Sequence, residues 1–507
     1  MKKTLSMLLA FSMLLGLLTT MAFAAGETYT ITINNKVDGH TYEAYQIFTG
    51  DLSGDAKNDA TAGTSAVLSN VKWGASVTNA SELGSATDYA KALANTSKSI
   101  EAMITEIELG SAFKTSTYKG DTYVVEGLTA GYYLIKDLDN SLSGENDAYT
   151  EYIVEVVENS TLAPKSDVPT VQKKVDDKND SNTTEDAVVW QDSADHDIGD
   201  SVPFQLKATL ANNVSAYATY KIVFHDTLSA GLTYDENAIV KVGNTVVYNA
   251  KDATQNKTGV SVTYSGTSLT VTIEDVKADG IQAGNGAEVI VEYTATLNNS
   301  AVIGAAGNPN EVYLEFSNNP NWNGEGTEET GKTPTDKVIV FTYKTVINKV
   351  DEKGEALAGA EFTLYKKNAQ GKYEVVGTKQ VGTAAADSEI ANIFTWEGLD
   401  DGDYMLEETT TPAGYNTIAP IEFTISATHD ETADDPKLLT LTGGDKFTGE
   451  VDANKKPTGT LISNVVNNKG SVLPETGGIG TTIFYVLGGL MAVGAGVLLV
   501  AKKRMDA

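Results

Sequence analysis

Alternation between apolar and polar residues recurs along the middle of this chain and restricts its fold more than any other feature. A period of two is typical of half-buried β-strands, because successive side chains point to opposite faces of a sheet. Short strands that follow one another between Asn, Gly, Asp and Pro turns favour β-sandwich domains in series. The alternating segments are YTITIN, TYVVEGL, EYIVEVV, SVPFQLKATL, SLTVTIEDV, AEVIVEYTATL, EVYLEFS, KVIVFTY, EFTLYKK and IEFTISA.

One segment near the N-terminus follows a helical period instead. We predict a single helix over residues 86–109, with its apolar face packed on a sheet. The fold class is therefore mainly β, with one helix in the first domain. The apolar residues at helical spacing in SATDYAKALANTSKSIEAMITEIELG are Leu93, Ile100, Met103, Ile104 and Ile107.

The length and two changes in composition divide the chain into domains. A chain of 507 residues is long enough for about three domains of roughly 150 residues each. Composition shifts towards turn-forming residues at 159–170 and again at 318–336. We therefore predict domains over residues 25–166, 167–336 and 337–470.

Both ends of the chain carry apolar runs. A positive start, MKK, precedes LSMLLAFSMLLGLLTT, and AFA at residues 22–24 has the small-x-small pattern of a signal peptidase site. Residues 1–24 are therefore predicted to be a signal peptide. The second run, residues 481–501, is long enough to cross a bilayer as a helix, and KKR at 502–504 forms a basic stop. We expect an exported protein whose precursor is tethered to the membrane.

Composition also narrows the function. The chain has no cysteine, so it cannot use disulfides although it is exported. A formal net charge of −31 repels nucleic acid. The histidines are scattered, with no nucleophile elbow and no zinc-binding spacing. We therefore predict that the protein is not an enzyme and needs neither a cofactor nor a metal.

The stretch VLPETGGIG precedes the C-terminal apolar run. With the span and the basic tail, it resembles the cell-wall sorting signal of Gram-positive surface proteins, here residues 471–507. In that family a sortase transpeptidase cuts between the motif's Thr and Gly and holds the Thr carbonyl as a thioester until an amine attacks. The proline of the motif fixes φ and presents an extended segment to the enzyme. The motif residues are Leu473, Pro474, Glu475, Thr476 and Gly477.

The resemblance extends over nearly the whole secreted chain. Six segments together resemble the major shaft, or backbone, pilins of sortase-assembled pili. This implies tandem Ig-like domains of the Cna A-type at residues 167–336 and of the Cna B-type at residues 337–470. The segments are GHTYEAYQIF, the Ala-Pro-Lys linker, PTVQKKVDD, YKIVFHDTLSAGLTY, EVYLEFSNNPN and YMLEETTTPAGYN.

Such a pilin has several partners and a defined location. The resemblance implies binding to other copies of the chain, to a pilus-specific and a housekeeping sortase, and to peptidoglycan. Minor pilins and host matrix or cells are further candidate partners, and nucleic acid is not one. The protein would be secreted and anchored to the cell wall, in a pilus (fimbrium) on the cell surface.

A lysine between the first two domains is expected to link one subunit to the next. In the family, the ε-amine of such a lysine resolves the thioester of another subunit. Lys165 in TLAPKSD has this position and follows a proline. The family's usual aromatic residue before Pro-Lys is replaced by Ala163, so Lys173 and Lys174 stay open as alternatives.

The resemblance also implies spontaneous Lys–Asn isopeptide bonds inside the Ig-like domains. In the second domain, alternation favours Lys173 over Lys174 as the inward-facing lysine. The family's catalytic acid matches Asp226 in FHDTLSAGLTY. Asn318, which shares the inward parity of EVYLEFSN, is the expected partner of the lysine.

A second set is expected in the third domain. Lys349 shares a strand face with Ile347 in INKVDEKGEALAGAEFTLY, and the family's glutamate falls on Glu408 in YMLEETTTPAGY. The partner is Asn467 in VVNNKG, with Asn464 and Asn468 as alternatives. In the first domain Lys36 has no matching acid and Asn, so no internal bond is predicted there.

The main competing interpretation is a wall-anchored monomeric adhesin, or a minor pilin, that binds host matrix. Residues 139–143, DNSLS, match the DxSxS metal-site pattern of tip adhesins. A strand follows them where an adhesion domain would need a helix. We therefore interpret these residues as a polar hairpin loop rather than a metal site.

Overall fold

Three β-sandwich domains follow one another in the computed structural model. Within the described residues, no helix is long and apolar enough to cross a membrane. The predicted signal peptide and, apart from Met491 and Ala495, the predicted span lie outside those residues. The structure describes residues 28–53, 67–95, 97–138, 140–156, 158–163, 167–181, 188–320, 322, 328–470, 491 and 495.

The first domain packs a four-stranded sheet on a five-stranded one. The first sheet has the order β5-β6-β1-β9, and the second has the order β3-β2-β7-β8 with β4 beside β2. The closing strand β9 runs parallel to β1, so the end of the domain is tied to its start. The strands are β1 (Tyr29–Ile33), β2 (Tyr42–Ser53), β3 (Val67–Trp73), β4 (Lys114–Thr115), β5 (Thr117–Tyr118), β6 (Tyr123–Leu128), β7 (Gly131–Asp137), β8 (Glu151–Val156) and β9 (Ser160–Leu162).

The single helix predicted over residues 86–109 is divided into α2 (Ala86–Ala94) and α3 (Ile100–Glu106), and a short helix, α1 (Ala80–Leu83), precedes them. The helical pattern is interrupted because Asn95 ends α2, and the Ser99 hydroxyl caps a new helix by accepting a hydrogen bond from the Ala102 amide. Asn and Ser favour caps over helix interiors. The apolar face is as predicted, since Leu93, Met103 and Ile107 are buried.

The second domain packs two seven-stranded sheets on one large core. One sheet has the order β11-β10-β13-β20-β16-β17, with β15 beside β20, and the other has the order β12-β23-β21-β14-β19-β18, with β22 beside β21. The strands are β10 (Thr170–Asp176), β11 (Trp190–Gln191), β12 (Ser193–Asp195), β13 (Ser201–Thr209), β14 (Ile222–Leu228), β15 (Leu232–Tyr234), β16 (Ile239–Val242), β17 (Thr245–Asn249), β18 (Val260–Ser265), β19 (Ser268–Ile273), β20 (Glu288–Leu297), β21 (Asn308–Ser317), β22 (Thr330–Lys332) and β23 (Asp336–Phe341).

The strand β23 belongs to two cores at once. It completes a sheet of the second domain by pairing with β21 and β12. Val338 and Val340 pack in the core of that domain, whereas Ile339 and Phe341 pack in the core of the third. The second domain therefore extends through Phe341 instead of ending at residue 336. The composition shift marks the loop before β23, and alternation sends one face of this strand to each domain.

The third domain packs a sheet of order β28-β29-β24-β34-β33 on one of order β26-β25-β30-β31-β32, with β27 beside β25. Its first strand, β24, runs parallel to its last strand, β34. The strands are β24 (Tyr343–Asp351), β25 (Glu361–Lys367), β26 (Tyr373–Val375), β27 (Gln380–Val381), β28 (Thr383–Ala384), β29 (Ala391–Leu399), β30 (Gly402–Thr410), β31 (Ile421–His429), β32 (Leu438–Thr442), β33 (Thr448–Val451) and β34 (Pro457–Asn467).

Candidate functional site

A lysine is fully buried between the two sheets of the second domain. Lys173 lies on β10 of one sheet, and its Nζ donates to Asp226 Oδ1, on β14 of the other sheet, at 2.6 Å. Both side chains have no exposed surface. The Lys173 Nζ also lies 5.4 Å from the ring centroid of Phe204, so apolar groups surround the pair. A lysine is rarely buried to this extent unless it is paired.

Burial changes the protonation of this pair. Desolvation lowers the pKa of Lys173, although Asp226 attracts its charge. Desolvation likewise raises the pKa of Asp226 against the opposing effect of Lys173. Both shifts favour the neutral forms, an amine and a carboxylic acid. A neutral amine is a nucleophile, and a carboxylic acid can donate a proton to a leaving group.

Tyr293 is a third member of this site that the sequence analysis did not identify. Its hydroxyl lies 2.5 Å from Asp226 Oδ2, to which it donates, and 3.2 Å from Lys173 Nζ. It also accepts a hydrogen bond from Asn310 Nδ2 at 2.8 Å. Alternation in AEVIVEYTATL already placed Tyr293 on the buried face with Val291. Only the packing of two sheets shows that this hydroxyl connects an acid to an amide.

The structure places Asn310, rather than Asn318, beside the lysine and the acid. Both asparagines share the inward face of β21 and its continuation, so alternation could not distinguish them. Register does so, because Asp226 is paired with Val312 and Leu228 with Asn310. Asn318 lies six residues beyond Val312, roughly 20 Å along an extended strand. Among the described residues, Asn310 Oδ1 is buried without a hydrogen-bond partner.

The neighbouring lysine has a different environment. Lys174 is half-buried and pairs with Asp192 near the third domain. Its side chain therefore points away from Asp226, as alternation predicted for adjacent residues of a strand.

The third domain brings its three predicted residues into one buried region. Lys349 on β24 and Asn467 at the end of β34 have no exposed surface, and Glu408 on β30 is 5% exposed. Asn467 Nδ2 donates to both Glu408 oxygens, at 2.8 and 3.1 Å. Lys349 Nζ donates to the Val465 carbonyl at 2.9 Å. The strand pairing sets Lys349 opposite Val465, two residues from Asn467.

Burial affects the lysine of this second site in the same direction as it affects Lys173. Desolvation lowers the pKa of Lys349 to about 8, with Glu408 opposing the shift. A substantial fraction of this amine is therefore neutral near physiological pH. The alternatives Asn464 and Asn468 are exposed, whereas Asn467 is buried with its Oδ1 unpartnered among the described residues. Burial thus favours Asn467 as the amide that can react.

Several predicted residues lie outside the described part of the chain. These are Lys165 and the whole sorting motif, Leu473, Pro474, Glu475, Thr476 and Gly477. Lys36 of the first domain is exposed. The expectation that this domain has no internal bond stays a prediction.

Asn318 instead forms part of the joint between the first and second domains. Its Nδ2 donates to the carbonyls of Leu142, at 3.0 Å, and Asp147, at 3.2 Å. The Tyr149 amide donates back to the Asn318 carbonyl at 2.8 Å. Residues 138–150 connect the antiparallel pair β7 and β8, so this hairpin connection rests on the second domain. Of the DNSLS residues within it, Asp139 lies outside the described part.

A buried histidine holds this connection from the side of the first domain. His40 Nδ1 lies 2.8 Å from Asp137 Oδ1, and His40 Nε2 lies 2.9 Å from Asp147 Oδ2. Desolvation by itself would lower the pKa of His40, but hydrogen bonds to the two carboxylates raise it to about 9. Burial raises the pKa of Asp137 as well, against the opposing effect of His40.

The first domain should lose stability in alkaline solution. A folded-state pKa of about 9, above the ordinary value of 6.5, gives stabilisation that is complete below pH 6.5 and lost as pH rises through 9. The free energy involved is on the order of 3 kcal/mol. Urea unfolding of the chain between pH 6 and pH 9.5 should show the first domain's transition moving to lower urea. His40→Gln should remove this pH dependence. If the urea transition of the variant still moved with pH as the parent's does, the assignment would be contradicted.

Tandem β-sandwich domains ahead of an LPXTG motif define a Gram-positive surface protein anchored to the cell wall. A family model described as the LPXTG cell wall anchor motif matches residues 465–506. A model described as Gram-positive pilin backbone subunit 2, Cna-B-like domain, matches residues 198–320, and a prealbumin-like fold domain matches residues 344–437. The chain therefore combines pilin backbone and prealbumin-like domains with an LPXTG anchor, as expected of a surface pilus anchored to the cell wall. The second-domain model is described as Cna-B-like, where the sequence resemblance assigned the A-type.

Known proteins resemble this chain along most of its length. The chain is 24% identical over 457 residues to the trypsin-resistant surface T6 protein of Streptococcus pyogenes serotype M6, covering 78% of each protein. The solved T6 backbone pilin of S. pyogenes has a similar fold, with a TM-score of 0.55 and 18% identity over 89% of this chain and all of that one. The full-length major pilin SpaD of Corynebacterium diphtheriae has a TM-score of 0.48 and 19% identity, over 88% of this chain and 98% of that one.

Proposed function

We propose that this pilin is polymerised by a pilus-specific sortase that joins Thr476 of one copy to Lys165 of another. A housekeeping sortase would transfer the last Thr476 to peptidoglycan. The observation that carries the proposal is the placement of Lys165. It lies in the short segment between β9, the last strand of the first domain, and β10, the first of the second. A lysine in a link between folded domains is accessible to an enzyme-bound partner.

In this transfer, one peptide bond breaks and one amide bond forms. The sortase breaks the Thr476–Gly477 bond, and residues 477–507 leave with the new amino terminus. The Thr476 acyl group stays on the sortase thiol until Lys165 Nζ attacks its carbonyl. An amide forms, the thiol is released, and the lysine loses its proton. The predicted membrane span thus serves only to hold the precursor near the enzyme.

We also propose that two internal isopeptide bonds form without an enzyme, Lys173–Asn310 and Lys349–Asn467. The neutral lysine amine attacks the side-chain amide carbon of the asparagine. Asp226 in the second domain, or Glu408 in the third, takes a proton from the amine and delivers it to the leaving nitrogen. One ammonia is lost for each amide formed. Tyr293 supports the first reaction by joining Asp226 to Asn310.

These bonds would determine how a cysteine-free shaft carries force. The first would link β10 in one sheet to β21 in the other, and the second would link the first and last strands of the third domain. Each bond would close a loop of more than a hundred residues. On the model used for disulfides, this reduces the entropy of the unfolded chain and stabilises the folded domain by about 5 kcal/mol. Tension along the shaft would then pass through covalent bonds instead of strand hydrogen bonds.

The test of polymerisation is peptide mass mapping of material released from the wall of the producing cell. We expect a branched peptide in which the Thr476 carbonyl is joined to Lys165 Nζ. Branches at Lys174 would move the linkage to that residue. Thr476 joined only to peptidoglycan would contradict polymerisation and favour a wall-anchored monomeric adhesin. The internal bonds are tested separately by intact mass, because they would form in a single chain.

The acid of the third domain can be tested on its own. Glu408→Gln should leave Lys349 and Asn467 unreacted, because the variant has no carboxyl group to transfer the proton. The variant should then be about 17 Da heavier than the parent after the substitution itself is subtracted, because one ammonia is not lost. The third domain should also unfold about 5 kcal/mol more easily. Glu407→Gln, at the adjacent half-buried position, is the matched control, and an equal mass change there would contradict the role of Glu408.

A further inference from the structure

The joint between the second and third domains holds a histidine and two acids that the proposed bond chemistry does not use. Asp177 follows β10, Asp195 ends β12, and His429 ends β31 of the third domain. One ligand atom from each side chain lies within 4.8 Å of the others. This joint triad, defined by Asp177, Asp195 and His429, therefore connects two consecutive domains through residues that are far apart in the sequence.

Ser193 determines which nitrogen of His429 faces the acids. The Ser193 hydroxyl donates its single hydrogen to the Asp430 carbonyl at 2.6 Å, so towards His429 Nδ1, at 2.7 Å, it can only accept. Nδ1 consequently carries a hydrogen, and Nε2 is directed at Asp177. A hydrogen bond from one ring nitrogen that orients the other is the usual support of a metal-binding histidine.

The spacing within the triad fits a bridging ion better than a direct contact. His429 Nε2 lies 3.5 Å from Asp177 Oδ2. A charge-assisted hydrogen bond would be about 2.7–2.9 Å long. Two ligands that each lie about 2.0–2.2 Å from a tetrahedral zinc ion are separated by roughly 3.3–3.6 Å.

A second group of acids in the same joint is paired with a lysine. Lys366 Nζ lies 2.6 Å from Asp197 Oδ2 and 3.3 Å from Asp180 Oδ2, and it also contacts Asp400. Within the described part of the chain, no lysine forms an ion pair with Asp177 or Asp195. In the triad, the carboxylates have instead His429 and hydrogen-bond donors, including the Tyr343 hydroxyl, which lies 2.6 Å from Asp195 Oδ2.

We propose that His429 Nε2 and the carboxylates of Asp177 and Asp195 bind one divalent metal ion of the zinc class. An imidazole nitrogen and two carboxylate oxygens are ligands that zinc accepts, with a fourth position left for water. Such an ion would tie the second domain to the third. It would reinforce a joint that neither proposed isopeptide bond crosses. The sequence spacing gave no sign of this site, because its ligands come from three separate segments of the chain.

Metal analysis of the full chain, purified without a histidine tag and dialysed against zinc chloride, tests this site. We expect one tightly held zinc ion per chain. His429→Gln and Asp177→Asn should each weaken zinc binding by at least 10–100-fold, the usual cost of disturbing a metal site. His225→Gln is the matched control, because His225 is a partly exposed strand residue of the second domain whose ring contacts Glu315 and Tyr313. This control should bind zinc as the parent chain does.

The result can also overturn the proposal. Absence of bound zinc in the parent chain would do so, as would equal zinc binding in His429→Gln and the parent. Circular dichroism of each variant shows whether it is folded. If His429→Gln is misfolded, Asp177→Asn decides the question, because Asp177 is half-buried at the end of a strand. A folded Asp177→Asn chain that retains parent affinity would contradict the site, and one that loses zinc would support it.

Discussion

A chain carrying Asn310→Ala should be about 17 Da heavier than the parent once the substitution itself is subtracted, because one ammonia would no longer be lost. In the parent, Asn310 Nδ2 reaches Tyr293, whose hydroxyl contacts both Asp226 and Lys173. We therefore expect the Asn310 amide carbon to be the electrophile that the buried amine attacks. The measurement is intact mass spectrometry of the soluble chain, followed by a search for the Lys173–Asn310 branched peptide.

Stability should change together with mass. Without the bond, the second domain loses about 5 kcal/mol of loop-closure stabilisation. It also keeps an unreacted Lys173 amine in an apolar interior. We expect its unfolding transition to move to clearly lower temperature while the third domain is unaffected. Separate cores support this independence.

Asn318→Ala is the matched control, because it removes an asparagine from the same face of the same strand. The mass of that variant should be that of the parent after the substitution is subtracted, with the bond intact. Its defect should instead appear at the joint with the first domain, where Asn318 donates to Leu142 and Asp147. A mass gain with Asn318→Ala and none with Asn310→Ala would show that the sequence assignment, and not the register, is right.

The comparison of these asparagines shows what a sequence can and cannot predict in a sandwich. Alternation predicts which residues face inward, and it correctly directed Lys173 to the core. Residues eight positions apart have the same parity, so alternation treats Asn310 and Asn318 alike. Their difference comes from the pairing of β21 with β14, which is a tertiary contact. Tyr293 was missed for the same reason, since its partners lie on other strands.

The other differences between the sequence predictions and the structure concern the helix, the domain boundary and the joint triad. The helical period continued through residues 95–99, but the capping preference of Asn95 and Ser99 is stronger and divides the helix. The composition shift before β23 predicted a boundary, yet this strand has an apolar residue on both faces and fills two cores. The joint triad could not be predicted at all, because Asp177, Asp195 and His429 meet only when two domains pack.

Pili should disappear from a cell whose only copy of this chain carries Lys165→Arg. Arginine keeps the positive charge and the length of the side chain, but its guanidinium does not deprotonate and cannot attack the Thr476 thioester. Immunoblots of wall extracts from the parent should show a ladder of high-mass polymers, and the variant should show monomers only. Lys165 lies outside the described residues, so this expectation follows from its position between β9 and β10.

Lys174→Arg is the informative comparison, since Lys174 is partly exposed and is the alternative candidate for the linkage. It pairs with Asp192, and arginine can keep that pairing, so the ladder should be unchanged. A ladder that survives Lys165→Arg and is lost in Lys174→Arg would transfer the linkage to the strand β10. Lys173 cannot serve in this comparison, because its replacement would also remove the proposed internal bond. A lysine with no exposed surface is in any case unavailable to a sortase, so we expect Lys173 to react only inside its own subunit. A different lysine must then join one subunit to the next.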